Sequence, residues 1–384
     1  MEKIRILISA TGYFPAKRYG GPPISIRNFC NLVGDKCDCS IITRDHEYQE
    51  KMRLEGIEEG WQHYGSCQVL YLRSENLGLL RYLKIIDEIK PQLIYINSLF
   101  DARFTIPLLI CGRIRKIPCL IAPRGELAHQ AVSRKAYKKK PYLKIFRLLF
   151  LNNRVWFQAS SHIETMDISK RIEGSESRIV LLPNIPSVPN TIEPKTAKSI
   201  GELSIIFLGR IMDIKNLSYA IDVISQLHGR VRFNIYGPIE DEEYWKDCLN
   251  KIKGLPEEIS VVYHGEIKHK DVFNAYKQND ILFLPSKIES YGQAIAESFY
   301  AGVPVVISNR TPWKEVQKYN CGYSGSLNDK EAFIRIVQKY IDMSDTEFQE
   351  CSRSAIAYIK EKSNISTIKD TYIDFLNNVV NANA

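Results

Sequence analysis

Short, nearly continuous apolar runs alternate with helical patterns along this chain, twice over, on either side of a proline-rich break. In the first half the runs are 4–9, 39–43, 69–72, 93–96, 119–122 and 155–158, with helical patterns such as 79–89 and 163–172 between most of them. In the second half they are 203–208, 231–236, 259–263, 281–284 and 303–307. Strands that are apolar on both faces and separated by helices predict parallel sheets covered on both sides. Between the halves, Pro183-Asn184-Ile185-Pro186-Ser187-Val188-Pro189-Asn190 holds three prolines and no periodicity, and polar residues follow to Gly201. This stretch reads as a linker. The expected class is α/β, with two Rossmann-like doubly wound domains over 1–183 and 201–364 and a linker over 184–200. An amphipathic helix in 365–384 is a candidate to return to the first domain. A length of 384 residues suits two cores.

Composition narrows the class further. Apolar residues make up 45% and charged residues 25%, the balance of a soluble globular protein. No run approaches the roughly 18 apolar residues of a membrane-spanning helix. The N-terminus begins directly as a strand, so no signal peptide is expected. Nine cysteines lie scattered without a pairing framework, and Cys37 and Cys39 are too close for a zinc knuckle. That usage fits a reducing cytosol. A net charge of +8 hints at an anionic partner without choosing among nucleotide, lipid and nucleic acid.

The segment 281–307 carries the most chemistry. A buried run ends in Pro285-Ser286-Lys287-Ile288-Glu289-Ser290-Tyr291-Gly292-Gln293-Ala294-Ile295-Ala296-Glu297, and Ala301-Gly302-Val303-Pro304-Val305-Val306-Ile307-Ser308 follows. The pattern is strand, loop, helix, strand. Glu289 falls on the loop and Glu297 inside the helix, with seven residues between them. The helix start between them offers unpaired amides. Carboxylates that accept from hydroxyls, beside amides that donate to phosphate oxygens, suit a sugar nucleotide. Upstream, strand 205–208 ends in Gly209-Arg210, and Lys215-Asn216 opens the next helix. A guanidinium fork and an ammonium could close together on a diphosphate.

These residues resemble the E-x7-E signature of retaining glycosyltransferases of family 4, with Gly209, Arg210 and Lys215 similar to that family's G-R-x(n)-K motif. The resemblance implies the GT-B architecture, two Rossmann-like domains facing across a cleft with the C-terminal helix crossing back. It also implies roles. Arg210 and Lys215 would hold the diphosphate and stabilise the leaving group. Glu289 would bind a donor-sugar hydroxyl, supported by the amides of Ser290, Tyr291 and Gly292, and Glu297 would bind the ribose hydroxyls. Gly237 and Gly265 stand at strand ends where backbone could approach the nucleotide or simply turn, and the base is placed near Glu266 and Ile267. No Asp-x-Asp triplet occurs. With two cations available for the diphosphate, no metal or other cofactor is expected. His264 and His269 read as surface or packing residues.

The first strand runs into Thr11-Gly12-Tyr13-Phe14-Pro15-Ala16-Lys17-Arg18-Tyr19-Gly20-Gly21-Pro22-Pro23, ahead of a helix over 24–33. This is no G-x-G-x-x-G fingerprint, which disfavours a dinucleotide dehydrogenase. It resembles the family's Gly-Gly loop, which implies that Gly20 and Gly21 approach the donor phosphates. Strand 93–96 ends in Asn97, where many members carry His, so a His base is in doubt here. Pro123-Arg124-Gly125-Glu126-Leu127 resembles a variant from a polysaccharide-synthesis branch, which makes Arg124 and Glu126 acceptor-site candidates beside Asn97. Arg124 could equally be a structural ion-pair partner.

Residues 134–154 hold eight basic side chains and no acidic one. Lys138, Lys139, Lys140, Lys144 and Arg147, with Tyr142, Phe146, Leu149 and Phe150 as apolar companions, suit an anionic membrane surface. A solvated helix with its other face in the core fits as well, and a nucleic-acid patch fits least. The expected function is transfer of a hexose or N-acetylhexosamine from a nucleoside diphosphate sugar, UDP-linked, to a lipid-linked oligosaccharide in O-antigen or capsule synthesis. The expected location is the cytoplasm, peripheral on the inner membrane. A nucleotide-sugar 2-epimerase and a non-catalytic sugar-nucleotide-binding subunit remain as alternatives.

Overall fold

The computed structural model describes residues 2–382 apart from 17, 49, 134–135, 152–153, 190 and 196–197. Lys17 of the glycine loop, Arg134 and Lys135 of the basic segment and Asn190 of the proline-rich break thus lie outside the described residues. The chain forms two units, one of Met1–Ile185 with Ile365–Ala384 and one of Pro186–Asn364.

In the first unit the elements run β1 (Ile4–Ala10), α1 (Gly21–Val33), β2 (Cys37–Arg44), β3 (Trp61–Tyr64), β4 (Cys67–Leu72), α2 (Leu79–Ile89), β5 (Leu93–Asn97), α3 (Ala102–Arg115), β6 (Cys119–Ala122), α4 (His129–Ser133), α5 (Ala136–Phe150), β7 (Val155–Ala159), α6 (His162–Arg171) and β8 (Ile179–Leu181). Their sheet order is β3-β4-β2-β1-β5-β6-β7-β8. Every neighbouring pair is parallel except the β3–β4 hairpin. The central strands are buried on both faces, with Ile6, Leu7 and Ile8 and their neighbours Ile94, Tyr95 and Ile96 sealed from solvent. Helix α1 begins three residues earlier than its apolar pattern suggests, because Pro22 and Pro23 fit the first turn, where no amide partner is needed.

The second unit runs β9 (Glu202–Leu208), α7 (Leu217–Ile224), β10 (Arg230–Tyr236), α8 (Glu242–Ile252), β11 (Ile259–Gly265), α9 (Val272–Lys277), β12 (Ile281–Leu284), α10 (Gln293–Tyr300), β13 (Val305–Ser308), β14 (Gly322–Gly325), α11 (Lys330–Asp342) and α12 (Asp345–Lys362). Its sheet is parallel throughout, in the order β11-β10-β9-β12-β13-β14. The capping box of Ser344 and Glu347 opens α12. The last helix, α13 (Ile365–Asn381), belongs to the first unit, where Tyr372 packs on Phe29 and Phe375 on Trp156.

Both sheets are doubly wound, and each has a switch point where successive crossovers turn to opposite sides: β1/β5 in the first unit, β9/β12 in the second. Ligands in such sheets bind beyond the C-terminal ends of those strands. Several elements depart from the sequence reading. Strands β3, β8 and β14 were not anticipated: β3 is only 4 residues with its second half exposed, β8 has 3 residues, and β14 reads Gly-Tyr-Ser-Gly. The run 303–307 pairs only from Val305, since Pro304 has no amide to give and contributes only its carbonyl, which accepts from Leu282 N–H. Part of the proposed linker is clamped rather than loose. Lys195 Nζ reaches Asp280 at 2.6 Å, and its backbone amide donates to Ser352 Oγ.

Candidate functional site

Beyond the β9/β12 switch point of the second unit, two loops meet. One runs from Gly209 through a single 3-10 turn, Asp213–Lys215, to Asn216, whose left-handed backbone (φ 61°) ends the turn and opens α7. The other runs from Pro285 to Gly292. Asn216 Nδ2 donates to the Pro285 carbonyl at 3.1 Å, and Lys287 N–H donates to the Ile214 carbonyl at 2.8 Å. This lacing brings Lys215 Nζ onto Glu289 Oε1, with only 18% and 10% of the two side chains exposed. Ser286 Oγ donates to the same carboxylate oxygen at 2.9 Å, and Glu289 N–H is held by the Arg310 carbonyl at 3.1 Å.

Gly237 shows why the neighbouring loops must be tight. Its φ is 140°, and a Cβ there would sit 2.0 Å from the Gly209 carbonyl oxygen. Gly209 N–H in turn donates to the Tyr236 carbonyl at 3.0 Å. Arg210, 39% exposed, lies not on Lys215's partner but in a two-oxygen pair with Glu240 at 2.8 and 2.9 Å. The two cations predicted to share a diphosphate are thus each held by a carboxylate. Nothing in the sequence pattern pointed to Glu240, 30 residues from Arg210.

Helix α10 starts at Gly292, left-handed at φ 80°. Among the described residues the amides of Ser290, Tyr291 and Gly292 have no acceptor within the chain. Glu297 lies one turn into α10 with 4% of its side chain exposed. His269 Nε2 stands 3.9 Å from Glu297 Oε1 and 2.9 Å from Ser187 Oγ. His269 is thus partly buried beside Glu297, with Ser187 Oγ as its hydrogen-bond partner. His264, on the other hand, stacks on Tyr236 with ring centroids 4.3 Å apart and bonds Asn234. Glu266 and Ile267 follow β11, Glu266 exposed and Ile267 partly packed on the core. Gly265 is left-handed at φ 73° with open space where a Cβ would go.

In the first unit, Asn97 closes β5 at the β1/β5 switch point. Its Oδ1 accepts from Arg124 at 2.7 and 3.2 Å, while its buried Nδ2 has no partner among the described residues. Arg124 also donates to Tyr95 Oη at 2.9 Å and to Asn184 Oδ1. Among the described residues its guanidinium bonds only neutral partners, so the ion-pair reading of Arg124 is corrected. Arg124 and Gly125 are both left-handed (φ 54° and 79°), a turn fixed by Glu164, which accepts from Gly125 N–H at 2.7 Å and from Ser160 N–H at 2.8 Å. The sequence reading missed Glu164, whose position in α6 looks like any first-turn acid.

Glu126 bonds Ser98, Leu99 and Phe100 rather than Asn97 or Arg124. It accepts from Ser98 Oγ and from the amides of Leu99 and Phe100 at 2.6 to 3.2 Å, and burial raises its carboxyl above the ordinary range despite those donors. Its contacts are those of a loop brace. Gly20 is left-handed at φ 71°, and a Cβ on Gly21 would meet nothing within 4 Å.

Helix α5 turns a different face outward than expected. Phe146 and Phe150 are buried, and Tyr142 donates its hydroxyl to the Leu99 carbonyl at 2.7 Å. Lys139 lies 4.6 Å over the Phe100 ring and donates to Ala131. Arg147 pairs with Glu173. Exposed are Lys138, Lys140, Lys144 and Arg147 beside Tyr137 (72%), Ile145 (56%) and Leu148 (83%), with Leu149 half exposed. Among the described residues no helix is long and apolar enough to cross a membrane, and no cluster of three or more His, Cys, Asp or Glu could hold a metal.

Residues 190–360 match the family described as Glycosyl transferases group 1. An Escherichia coli UDP-Gal:alpha-D-GlcNAc-diphosphoundecaprenol alpha-1,3-galactosyltransferase is 21% identical over 81% of this chain and 83% of its own length. An uncharacterized 41.2 kDa protein in the cps region of Klebsiella pneumoniae is 27% identical over 53% of this chain, and the match spans only 56% of that relative. Among solved structures, Anabaena Alr3699/HepE in complex with UDP and glucose superposes with a TM-score of 0.72 at 15% identity, covering 98% of this chain and 100% of that one. WaaG, a glycosyltransferase involved in lipopolysaccharide biosynthesis, gives 0.68 at 13% identity, covering 97% and 99%. These likenesses show the fold, which is GT-B.

Proposed function

We propose that this chain, with its glycosyl transferases group 1 domain over residues 190–360, is a retaining glycosyltransferase of family 4 that uses a UDP-sugar. The observation that carries the reading is the Lys215–Glu289 pair at the β9/β12 switch point, beside the unpaired amides of Ser290 to Gly292. A cation, a hydroxyl acceptor and amide donors converge where a doubly wound sheet binds its ligand.

On this reading the diphosphate draws Lys215 from Glu289 and Arg210 from Glu240, and the freed Glu289 carboxylate accepts from a sugar hydroxyl. Glu297 accepts from the ribose hydroxyls. The bond from the anomeric carbon to the diphosphate oxygen breaks, and the acceptor oxygen bonds that carbon on the same face. The acceptor proton passes to the departing phosphate oxygen, whose charge Arg210 and Lys215 stabilise without a metal. In the first unit, the unpartnered Asn97 Nδ2 and the guanidinium of Arg124 orient the acceptor.

The acceptor is a lipid-linked oligosaccharide, by analogy with the diphosphoundecaprenol named for the E. coli relative. Docking on the anionic cytoplasmic face of the inner membrane falls to α5, where Lys138, Lys140 and Lys144 flank the exposed Tyr137, Ile145 and Leu148. NMR of the product formed from a UDP-sugar and a lipid-linked acceptor tests the chemistry. Retained anomeric configuration supports it, and inversion refutes it. Asn97 in place of a histidine favours one second reading, a sugar-nucleotide-binding subunit without transfer. Tight UDP binding with no product from any lipid-linked acceptor would establish it.

A further inference from the structure

At the C-terminal end of the first unit's sheet, Asn97 closes β5 with Ala10 of β1 and Ala122 of β6 as its register partners, and Arg124 follows just beyond β6. Ser98 and Arg124 both hold a positive φ, 141° and 54°, which residues with a side chain adopt at a cost and which recurs at ligand clamps. The Arg124 guanidinium donates through Nε and Nη2 to Asn97 Oδ1 at 3.2 and 2.7 Å, through Nη2 to Tyr95 Oη at 2.9 Å, and through Nη1 to Asn184 Oδ1. These acceptors carry no charge, since burial pushes the Tyr95 hydroxyl pKa up and keeps its proton on. Among the described residues no carboxylate pairs with Arg124. Arg44, at the same end of the sheet, differs: Asp101 neutralises it through both oxygens at 2.7 and 2.8 Å. Glu164, which braces the Arg124–Gly125 turn, spends its oxygens on Gly125 N–H, Ser160 N–H and Ser160 Oγ. Arg124 Nη1 keeps a second hydrogen beyond the one given to Asn184. Asn97 is 5% exposed, and its Nδ2 has no partner among the described residues. A flipped amide would set that NH2 against the guanidinium hydrogens, so the Oδ1 bonds to Arg124 fix the orientation.

We propose that Arg124 and Asn97 form an oxyanion site in the first unit, and that the acceptor carries a phosphate or carboxylate group that seats there. The proposal rests on the acceptor-site reading of these two residues given above, and adds the charge of what they bind. Both residues offer hydrogens, so the complementary group must accept. A sugar hydroxyl accepts but leaves the partly buried guanidinium charge unpaired. A charged oxygen accepts from both residues and neutralises that charge at once. The residue type at position 97 fits the same logic. An aspartate there would keep the Oδ1 bonds and neutralise Arg124 from within, whereas asparagine keeps the geometry and leaves the charge to the ligand. A lipid-linked diphosphate supplies a phosphate of this kind, and an acidic sugar in the glycan supplies a carboxylate.

NMR of the nitrogen-labelled full chain tests this, with the Arg124 Nε–H and Asn97 Nδ2 signals as reporters. The probes are methyl phosphate, methyl glucuronide and the neutral methyl glucoside, titrated at constant ionic strength with and without saturating UDP. In the wild type at least one of the two anions should shift both signals saturably, while methyl glucoside shifts neither. Saturation by methyl phosphate alone identifies the phosphate source, and saturation by methyl glucuronide alone the acidic sugar; either supports the site. Asn97→Asp preserves the bonds to Arg124 and should fold as the wild type does. It should keep the UDP-induced shifts of the Ser290, Tyr291 and Gly292 amides, yet bind the anion at least about tenfold more weakly, read on Arg124 Nε–H, because a charge-assisted hydrogen bond is replaced by repulsion. Equal anion affinity in the wild type and Asn97→Asp, or no saturable shift from either anion, overturns the proposal. Shifts from methyl glucoside as large as from the anions overturn it too, while leaving the acceptor-site reading in place. Failure of UDP to shift the Ser290 to Gly292 amides refutes the donor reading instead, and the titration without UDP still decides the oxyanion site.

Discussion

Replacing Lys215 by alanine separates the structural role of the Lys215–Glu289 pair from its chemical one. In the folded chain the substitution strips Glu289, 10% exposed, of its cation and leaves it with Ser286 Oγ and water. Breaking a fully buried pair costs about 3–5 kcal/mol, whereas exposed pairs contribute about 0–1. With 18% of Lys215 still accessible, a loss of about 1–3 kcal/mol lies between those limits. Most of it should return in Lys215→Ala/Glu289→Ala, which removes both charges, and the double-mutant cycle should show a coupling of about 1 kcal/mol or more. Catalysis behaves differently. If Lys215 stabilises the departing diphosphate, its removal raises the barrier by about 2–4 kcal/mol, roughly 30- to 800-fold in turnover, and deleting Glu289 restores none of it. Urea denaturation reads the first effect and UDP release with a lipid-linked acceptor the second. Additive stabilities would refute the pair as an energetic unit. Turnover within threefold of wild type in Lys215→Ala would refute the leaving-group role.

Other consequences are as direct. Arg210→Ala should leave stability within about 1 kcal/mol, because the Arg210–Glu240 pair is solvent-screened, yet lower turnover about 30-fold or more; a drop confined to stability would contradict its place at the diphosphate. Gly237→Ala puts a Cβ 2.0 Å from the Gly209 carbonyl oxygen at a φ of 140°, so a melting shift equivalent to about 2 kcal/mol or more is expected in calorimetry. Glu126→Ala leaves the Leu99 and Phe100 amides without an acceptor and should destabilise the protein by about 1–3 kcal/mol while UDP affinity holds; a stable variant with weakened UDP binding would reverse the brace reading. For α5, Tyr137→Ser/Ile145→Ser/Leu148→Ser should abolish the salt-resistant part of binding to anionic vesicles, and Lys138→Gln/Lys140→Gln/Lys144→Gln the salt-sensitive part. Unchanged sedimentation with vesicles in both variants would remove the membrane role.

What could be read from the sequence follows from local physics. Strands such as Ile281–Leu284 are buried on both faces and announce themselves as apolar runs, and the doubly wound α/β class follows from their alternation with helices. Strand β14, Gly-Tyr-Ser-Gly, carries no such signal, because its partner β13 rather than its own composition holds it at the sheet edge. Glu289 on a loop and Glu297 inside a helix were legible because Gly292 marks the helix start between them. The partners of these residues were not. Lys215 meets Glu289 across 74 residues, a meeting that needs β9 and β12 to be neighbours. Arg210–Glu240 and Ser187–His269 likewise depend on which strand ends adjoin, and the outward face of α5 depends on which side the core takes.

The most direct test of glycosyl transfer is donor consumption. UDP-, GDP- and ADP-sugars are incubated in EDTA with a lipid-linked acceptor and either the wild type or Glu289→Ala, and nucleotide release is followed. The account predicts that one UDP-sugar is consumed by the wild type, that the sugar appears on the lipid, and that Glu289→Ala is inert. Consumption that leaves a free, epimerised sugar, or equal consumption by both proteins, would contradict it.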